Sequence, residues 1–338
     1  MILISGATGF LGSYLLFRLV KEGHQVRAIK RSSSNLKQVK LAFDFLNQNE
    51  FSDFESYNQQ IDWVDADLTC LADLKTCFHG IDEIFHLSAI VSFQGKEKDY
   101  LLNVNVGATK NMTDLALENG VNKFHFVSSI ASLGRGDKET IDESEFSHHK
   151  KQGSVYGISK YMSELEVWRS YKEGLKGVIV NPGVVIGPAV EENEVSKIFR
   201  LIQKGFKYYT KGVNGYIDVR DVADFLYELS RDEKLYNERY ILVSDNVSYK
   251  ELFQQMYKHF EIPTKAKEAN YFLSYLVSIL DRFRAFISRS NAIITPELLK
   301  LATSRYYYNN SKVINALKKD FIEVEKSVAD TCQFLKKV

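Results

Sequence analysis

The sequence predicts an α/β fold with a doubly wound parallel sheet and a smaller, mainly helical C-terminal domain. Three observations indicate this: a glycine-rich turn directly after the first apolar run, short apolar runs that alternate with helical stretches, and the fading of that alternation from about residue 246. Strands that alternate with helices form a parallel sheet covered on both faces, and ligands bind at the carboxyl ends of its strands.

The individual elements follow from the spacing of apolar residues. Residues 1–5 read as a strand, and after the glycine turn apolar positions repeat at helical spacing until Gly23. Further strands are expected at residues 24–30, 61–66, 81–87, 124–128 and 178–181, and long helices at 99–119 and 154–172. Residues 32–60 form a polar insertion, for which we expect a surface helix and a loop.

The same pattern suggests where the two domains begin and end. The larger domain is expected over residues 1–182, with 216–245 returning to it, and the smaller over 183–215 and 246–338. Within the smaller domain, residues 271–287 are apolar and aromatic but are interrupted by Asp281, Arg282 and Arg284. Spanning a bilayer takes about 20 residues, so a pocket or core helix is favoured over a helix on a membrane surface.

Composition excludes several classes of function. The 338 residues carry 44 basic and 43 acidic side chains, a balance that favours neither nucleic acid nor an anionic membrane as partner. Cys70, Cys77 and Cys332 have no metal-type spacing and suit a reducing compartment. The chain starts with an apolar run and lacks a basic region before it, so we expect no signal peptide and a cytoplasmic location.

The glycine turn predicts a dinucleotide site. Gly6, Gly9 and Gly12 follow a strand and open a helix, which is the context that gives such a motif its meaning. Missing side chains let the turn close and let the backbone approach a pyrophosphate, while the helix N-terminus offers free N–H groups. A tight turn without a ligand is the competing interpretation.

The end of the second strand indicates the type of dinucleotide. An acidic residue there binds the 2′-hydroxyl of NAD, whereas a basic one accommodates the 2′-phosphate of NADP. Here Lys30 and Arg31 are followed by Ser32 and Ser33, and no carboxylate appears before Asp44. NADP is therefore favoured, with Arg31 as the phosphate ligand, and NAD remains the alternative. A solvated strand end is the competing interpretation of the two basic residues.

Tyr156 and Lys160 are candidates for acid–base chemistry. Four residues apart on a helix, the two side chains lie on one face. A tyrosine with a pKa of about 10 is a poor acid–base group at neutral pH, but a neighbouring cation favours the phenolate and lowers the pKa. Taken alone, the spacing also arises by chance, so the surrounding motifs have to decide.

Several further stretches occur in a fixed order along the chain: 5–12, 67–68, 86–89 (HLSA), 105–111 (NVGATKN), 127–129 (VSS), 182–188 (PGVVIGP) and 216–223 (YIDVRDVA). Together with the Tyr156–Lys160 pair they resemble the signatures of the extended short-chain dehydrogenase/reductases over nearly the whole chain. Ser5 replaces the usual Thr and Ala108 the usual Gly. Within that family, residues 128–134 and 216–223 are most similar to the dihydroflavonol reductase and 3β-hydroxysteroid dehydrogenase branch.

The resemblance implies a Rossmann fold and a set of site residues. Ser129 would bind the substrate oxygen, Tyr156 would exchange a proton with it, and Lys160 would hold the nicotinamide ribose and lower the Tyr156 pKa. The implied cofactor-binding residues are Gly6, Thr8, Gly9, Phe10, Leu11, Gly12, Arg31, Ser32, Asp67, Leu68, Ser88, Ala89, Asn105, Tyr156, Lys160, Pro182, Gly183, Val184 and Val185. The same family suggests a homodimer through the helices at 99–119 and 154–172.

Three kinds of function are compatible with these motifs: a reductase or dehydrogenase, a nucleotide-sugar epimerase or dehydratase, and a non-catalytic NADP sensor. A reductase or dehydrogenase acting on a small carbonyl compound is favoured. Val91, Phe93 and Ile130 lie near the crevice and suggest an apolar substrate, with core packing as the competing interpretation of the three residues. A nucleotide-sugar epimerase is the alternative, although the acidic residue that epimerases carry for NAD is missing. Dehydratases carry an Asp-Glu pair where Ile130 and Ala131 stand, and a non-catalytic NADP sensor would not need Tyr156 and Lys160.

Other polar residues have ordinary interpretations. No metal is expected, because His148 and His149 are adjacent in a polar loop and lack the spacing of a zinc site. His86 is expected to be a structural histidine at a strand end. Glu164, one turn after Lys160, is expected to pair with a nearby cation and not to act in catalysis.

Overall fold

The computed structural model describes residues 1–47, 54–91, 98–134, 140–146, 154–190, 194–263, 266–269 and 302–337. The strands are β1 (Ile2–Ser5), β2 (Val26–Lys30), β3 (Ile61–Asp65), β4 (Glu83–His86), β5 (Lys123–Val127), β6 (Thr140–Ile141), β7 (Val178–Pro182), β8 (Val184–Ile186), β9 (Tyr208–Tyr209), β10 (Val213–Asp218), β11 (Glu238–Leu242), β12 (Asp245–Ser248), β13 (Lys267–Glu268) and β14 (Tyr307–Tyr308). The predicted segment 271–287 and the residues Phe93, His148 and His149 lie outside these ranges.

The helices include nearly all those expected from the sequence. They are α1 (Phe10–Lys21), α2 (Lys37–Leu46), α3 (Phe54–Asn58), α4 (Leu71–Lys75), α5 (Lys98–Leu102), α6 (Ala108–Glu118), α7 (Val155–Lys172), α8 (Glu194–Gln203), α9 (Val219–Leu229), α10 (Tyr249–Phe260), α11 (Ser311–Leu317) and α12 (Val324–Lys337). The helix predicted at 99–119 is present, but a π-helical turn, Asn103–Gly107, separates α5 from α6.

The main sheet has seven strands in the order β11-β7-β5-β4-β1-β2-β3, and every neighbouring pair is parallel. From β1 the chain adds β2 and β3 on one side, then crosses over to β4 and the remaining strands on the other. This reversal confirms the doubly wound fold and puts the switch point between β1 and β4, where such sheets bind their ligands.

Helices cover both faces of the main sheet. One face is packed by α1, α2 and α9, through side chains such as Leu16, Phe43 and Phe225. The other is packed by α6 and α7, through Met112 and Val167 among others. Since both faces are covered, a strand such as β1 is buried at all four positions and reads as a continuous apolar run.

A smaller layer lies beside the main sheet. It contains a three-stranded sheet, β12-β10-β8, packed by α8, α10 and α12 through Phe199, Phe253 and Val328. Between β10 and β12 the chain returns to the main layer as α9 and β11. The strands of this smaller sheet were not assigned from the sequence, because they are short and lack a clear alternation. The domain boundaries stay a prediction.

Within the described ranges, no helix combines the length and the apolar character needed to cross a bilayer. Cys70, Cys77 and Cys332 are free thiols, and Cys77 and Cys332 are buried. The cysteines therefore form no disulfide framework.

Candidate active site

The glycine turn between β1 and α1 can accept an anion. Gly6 has a φ of 77°, and a Cβ there would lie 2.8 Å from the Ser88 backbone nitrogen. A Cβ on Gly12 would lie 2.0 Å from the Gly6 carbonyl oxygen, so only glycine lets this turn close. Gly9 is the N-cap residue of α1, and no side chain caps the helix there. The free N–H groups and the positive helix end fit a pyrophosphate.

The residues after the glycine turn continue into the core. Phe10 is partly buried and packs edge-on against Tyr14, with 5.9 Å between ring centroids. Thr8 and Leu11 are also partly buried, and Gly9 is exposed. The predicted cofactor residues of this turn thus surround the open N-terminus of α1.

Two more predicted cofactor residues lie at the neighbouring ends of β2 and β3. The Lys30 ammonium pairs with Asp65 across these strands, whereas Arg31 is exposed and forms no ion pair among the residues described. Asp67 accepts hydrogen bonds from the Thr69 N–H at 2.8 Å and from its hydroxyl at 2.7 Å. These bonds, and more weakly the charge of Arg31, lower the pKa of Asp67. Arg31 is therefore the basic group available to a ligand at this edge.

Ser32 follows Arg31 and Leu68 follows Asp67, and the structure gives neither side chain a role like those of Arg31 and Asp67. Ser32 is exposed beside Arg31, and Leu68 is partly buried after Asp67. The Leu68 carbonyl oxygen accepts a hydrogen bond of 3.0 Å from the Asn111 side chain on α6. The turn after β3 is thereby held against the helix that precedes β5.

The turn after β4 lies directly against the glycine turn. His86, which ends β4, is fully buried, with Nδ1 2.6 Å from the Ser5 hydroxyl and Nε2 3.1 Å from the Thr109 hydroxyl. Burial, with a smaller effect of Lys160, lowers the pKa of His86 to about 3. His86 is therefore a neutral structural histidine, as the sequence indicated. The following residues, Ser88 and Ala89, are partly exposed.

Asn105 fixes the loop that continues from Ser88 and Ala89. Its side chain accepts from the Ile90 N–H at 2.8 Å and donates to the Ile90 carbonyl oxygen at 3.0 Å. The same amide nitrogen donates to the Ser159 hydroxyl on α7 at 2.9 Å. Asn105 is buried, so any effect on a cofactor would be exerted through the loop that it holds.

Ser129 and Tyr156 come together at the end of β5. Ser129 caps the short 3-10 helix Ile130–Ser132, and its hydroxyl accepts from the Ala131 N–H at 3.1 Å. Tyr156 lies in the first turn of α7, and its phenol is hydrogen-bonded to Ser129. The close approach depends on Gly157, where a Cβ would lie 2.4 Å from the Ala131 carbonyl oxygen.

Lys160 lies below this pair in an almost closed environment. Its side chain is 2% exposed, its Nζ donates to the Val127 carbonyl oxygen at 2.6 Å, and it lies 4.3 Å from the centroid of the Phe126 ring. Burial lowers the pKa of Lys160 to about 7, and the nearby charge of Glu164 opposes that effect. The ammonium is thus close to its titration point at neutral pH.

The expectation that the Tyr156 pKa is lowered is wrong for this structure. Burial raises the pKa of Tyr156 to about 12, and the hydrogen bond with Ser129 only reduces that rise. Desolvation penalises the charged phenolate more than its surroundings stabilise it. Tyr156 therefore carries its proton at neutral pH.

The loop at the end of β7 completes the edge. β7 ends at Pro182, and the Gly183 N–H donates to the Leu242 carbonyl oxygen at 2.9 Å. A Cβ on Gly183 would lie 2.6 Å from the Gly215 carbonyl oxygen, so this glycine lets β7 continue into β8 beside β10. Val184 and Val185 are partly exposed.

The buried carboxylate of Glu164 adjoins the site, and the sequence did not predict it as part of the site. Glu164, 1% exposed, accepts hydrogen bonds from the Ser132 hydroxyl at 2.5 Å and from the Asn181 side chain at 2.7 Å. It also accepts from Ser128, and it pairs with Arg239 at 3.2 Å. The signal was present in the sequence, since Arg239 directly precedes the run Tyr-Ile-Leu at 240–242, and a charged residue beside a buried run is itself buried only with a partner.

The late stretch 216–223 is a structural clamp. Asp218 caps α9 by accepting from the Arg220 N–H at 2.8 Å, and its carboxylate also pairs with the Arg220 guanidinium. Ser327 donates to Asp218 at 2.6 Å, and Arg220 reaches Asp330 at 2.9 Å. These bonds tie α9 to the C-terminal helix α12 of the smaller layer.

Comparison with known proteins agrees with this architecture. A putative dihydroflavonol 4-reductase of Synechocystis sp. is 28% identical over 334 residues, which are 97% of this chain and 92% of that protein. Cinnamoyl-CoA reductase 1 of Petunia hybrida is 26% identical over 288 residues, 79% of this chain and 80% of that protein. The predicted resemblance to dihydroflavonol reductases is confirmed.

Solved structures share the fold at lower identity. UDP-glucose 4-epimerase of Thermotoga maritima superposes with a TM-score of 0.76 at 19% identity, covering 99% of this chain and 98% of that one. Yeast methylglyoxal/isovaleraldehyde reductase in complex with NADPH gives 0.69 at 18% identity, with coverage of 99% and 98%. A model of the NAD-dependent epimerase/dehydratase family matches residues 2–241. The chain therefore belongs to the NAD-dependent epimerase/dehydratase family of nucleotide-binding enzymes.

Proposed function

We propose that the protein is an NADPH-dependent reductase that converts a small, apolar carbonyl compound into its alcohol. One observation carries this proposal: a hydrogen-bonded Ser129–Tyr156 pair lies above a buried Lys160, at the sheet edge where the glycine turn leaves the N-terminus of α1 open. A proton donor and a cofactor cradle at one edge suit hydride chemistry on a carbonyl group.

The chain's own residues divide the work on the carbonyl oxygen. Ser129 binds it through its hydroxyl, and Tyr156 gives it a proton. With a pKa of about 12, Tyr156 is protonated at neutral pH, which suits reduction of a carbonyl better than oxidation of an alcohol. The Lys160 ammonium stabilises the phenolate that remains. NADPH, when bound, supplies the hydride.

Arg31 supports NADP in preference to NAD. It is exposed at the end of β2 with no ion pair among the described residues, and no carboxylate occupies the position that binds an NAD ribose. A planar guanidinium binds a phosphate through two parallel hydrogen bonds. The neighbouring Ser32 is exposed and adds a hydroxyl donor.

The apolar substrate rests on fewer residues than the sequence suggested. Ile130 is 6% exposed and belongs to a core cluster with Leu133 and Ile141, so it is a core residue and not a pocket wall. Val91 remains 51% exposed, and Val184 and Val185 are partly exposed. Two of the relatives, a putative dihydroflavonol 4-reductase and a cinnamoyl-CoA reductase, favour an aromatic carbonyl compound.

A nucleotide-sugar epimerase of the same family is the alternative. A panel of aromatic and aliphatic aldehydes and ketones, followed through NADPH absorbance, distinguishes the two. We expect oxidation of NADPH with hydrophobic carbonyl compounds and no turnover of UDP- or GDP-sugars. Interconversion of hexose epimers without net consumption of NADPH would overturn the proposal, as would tight NADPH binding with no carbonyl substrate turned over.

A further inference from the structure

Glu164 is tied to the ends of three strands of the main sheet. It lies on α7, one turn after Lys160, and its carboxylate accepts from Ser132 after β5, from Asn181 in β7 and from Arg239 in β11. The arginine is also fixed, because its guanidinium donates to the carbonyl oxygens of Glu143 at 2.8 Å and Glu145 at 2.5 Å. Four elements thus meet at one carboxylate.

These contacts enclose the turn that carries Ser129. Ser128 and Ser132, on either side of it, both donate to Glu164. Asn181 donates to Glu164 and lies 3.2 Å from the Ser129 carbonyl oxygen. Because these bonds hold both ends of the turn and its middle, they fix the position of the Ser129 hydroxyl relative to Tyr156 on α7.

Glu164 also supplies the charge that faces Lys160. The other groups that contact or interact with the ammonium among the described residues are neutral at pH 7: the Val127 carbonyl, the Phe126 ring and the imidazole of His86. The phenol of Tyr156, one turn before Lys160 on α7, is also neutral at this pH. Arg239 is paired with Glu164 at 3.2 Å. Among the described residues, Lys160 forms no direct ion pair, so its charge depends on a carboxylate that it does not touch.

We propose that Glu164 is a positioning residue, which holds the Ser129 turn against α7 and keeps the Lys160 ammonium charged. The catalytic part of this inference rests on the proposed reduction. A purely structural clamp would also destabilise the protein when broken. It would not change the protonation of Lys160, and this difference makes the two roles separable.

The test compares Glu164→Gln with a matched control, Glu83→Gln. Glu83 is a similarly buried carboxylate, bonded to His125 at 2.9 Å and paired with Arg231, and it lies at the amino ends of the strands. Proteins carrying ¹⁵N-lysine are titrated by NMR, and the Lys160 signal is identified by its loss in Lys160→Arg. We expect the Lys160 midpoint to fall by about one pH unit in Glu164→Gln, the effect of losing a nearby opposite charge. Glu83→Gln should leave the midpoint unchanged.

The enzymatic readout follows from the sign of that shift. Lys160 must be protonated to stabilise the Tyr156 phenolate, so reduction decreases as pH rises through the Lys160 pKa. In Glu164→Gln the alkaline limb of kcat/KM should move to lower pH by the same amount as the NMR midpoint. An unmoved midpoint and an unmoved limb would overturn the inference.

Ser132→Ala separates the tether from the charge. It removes a hydroxyl that lies within hydrogen-bond distance of both Glu164 and the Ser129 carbonyl oxygen, the latter at 2.7 Å, and it leaves the carboxylate in place. The Lys160 midpoint should therefore stay while kcat falls about threefold to tenfold. Unchanged kcat would overturn the tether. If Glu164→Gln leaves Arg239 uncompensated and does not fold, Glu164→Gln with Arg239→Gln removes both charges, and the midpoint should still fall.

The same measurements distinguish this inference from the proposed function. The NMR titration requires no substrate and no turnover. If the midpoint shifts but the unmodified protein reduces no carbonyl compound, the proposed function fails and the electrostatic role of Glu164 stands. If the unmodified protein is active and the midpoint of Glu164→Gln does not move, the inference about Glu164 fails alone.

Discussion

Two buried carboxylates with cationic partners lie at opposite edges of the main sheet. At the amino edge, Glu83 begins β4 and binds His125 and Arg231. At the carboxyl edge, Glu164 binds Arg239 and a group of neutral donors. By burial and charge alone the two are alike, yet only the second lies beside residues that can act on a substrate.

The two edges differ in whether an ionisable group near the carboxylate is left without a direct ion pair among the described residues. At the amino edge, burial acts to raise the pKa of Glu83, but its bonds with His125 and Arg231 bring this pKa below its usual value. Burial also lowers the pKa of His125 and so keeps its ring neutral. At the carboxyl edge, Lys160 has no direct ion pair among the described residues and a pKa of about 7. Incompletely paired titratable groups at the ligand edge therefore mark this site better than buried charge does.

Tyr156→Phe should give the largest effect on turnover and would test the assignment of the carboxyl edge. The change removes the transferable proton and little volume, so kcat should fall by roughly 10² or more while NADPH binding persists. Carbonyl reduction and NADPH titration measure the two effects. Tyr171→Phe is the matched control on the same helix, where the hydroxyl donates to the Phe124 carbonyl oxygen at 2.8 Å. It should cost about 1 kcal/mol of stability and leave kcat unchanged.

Gly157→Ala sharpens the comparison by changing geometry without changing charge. The added Cβ would lie 2.4 Å from the Ala131 carbonyl oxygen, so the Ser129 turn has to move away from Tyr156. Because small misplacements of reacting groups are costly, kcat should fall by about tenfold or more. Gly107→Ala, at a helical glycine with no atom within 4 Å of the added Cβ, is the control and should keep its turnover. Full activity in Gly157→Ala would show that this close approach does not position Ser129.

The position of these residues at the carboxyl edge could be predicted from the sequence, because each motif there depends on local backbone geometry. Close contacts around one turn require glycine at positions 6 and 12. A spacing of four residues places Tyr156 and Lys160 on one face of α7. The order of the motifs then placed them at one edge, since parallel strands all end on the same side. The doubly wound fold follows from the same regularity.

The rest depended on contacts between residues far apart in the chain. Glu164 and Arg239 meet only after α7 and β11 have packed. In the sequence, the sign of this contact was only a basic residue directly before the run at 240–242. The sequence predicted a lowered pKa for Tyr156, whereas burial in the folded protein raises it. Desolvation depends on the folded environment and cannot be inferred from the spacing to Lys160. Ile130 was placed in the pocket for the same reason, since burial cannot be read from its position after Ser129.

Arg31→Ala tests whether an unpaired cation at the carboxyl edge serves a ligand. Arg231 at the amino edge is used by Glu83, whereas Arg31 is exposed and free of ion pairs within the described ranges. If Arg31 binds the 2′-phosphate, losing it should weaken NADPH binding by about tenfold and leave NADH binding unchanged. Fluorescence titration with both nucleotides measures this. Lys30→Ala is the control, because Lys30 is engaged with Asp65, and equal affinity for both nucleotides in the unmodified protein would remove the NADP assignment.

Glu83→Gln should have the smallest effect on turnover, and its consequence should be confined to stability. The pKa of Glu83 is lowered in the folded protein, so its charge stabilises the fold above the usual carboxyl pKa, and that contribution is lost as pH falls through the lowered value. At pH 7 the variant should lose about 1–3 kcal/mol of stability, because Arg231 and His125 then face a neutral amide in place of a carboxylate. The deficit should shrink at acid pH, as the pH falls through the lowered pKa of Glu83 and the unmodified protein also becomes protonated there. Thermal unfolding at both pH values, with kcat measured at pH 7, tests this; a fall in kcat at full occupancy of the folded state would mean that the amino edge is coupled to the chemistry after all.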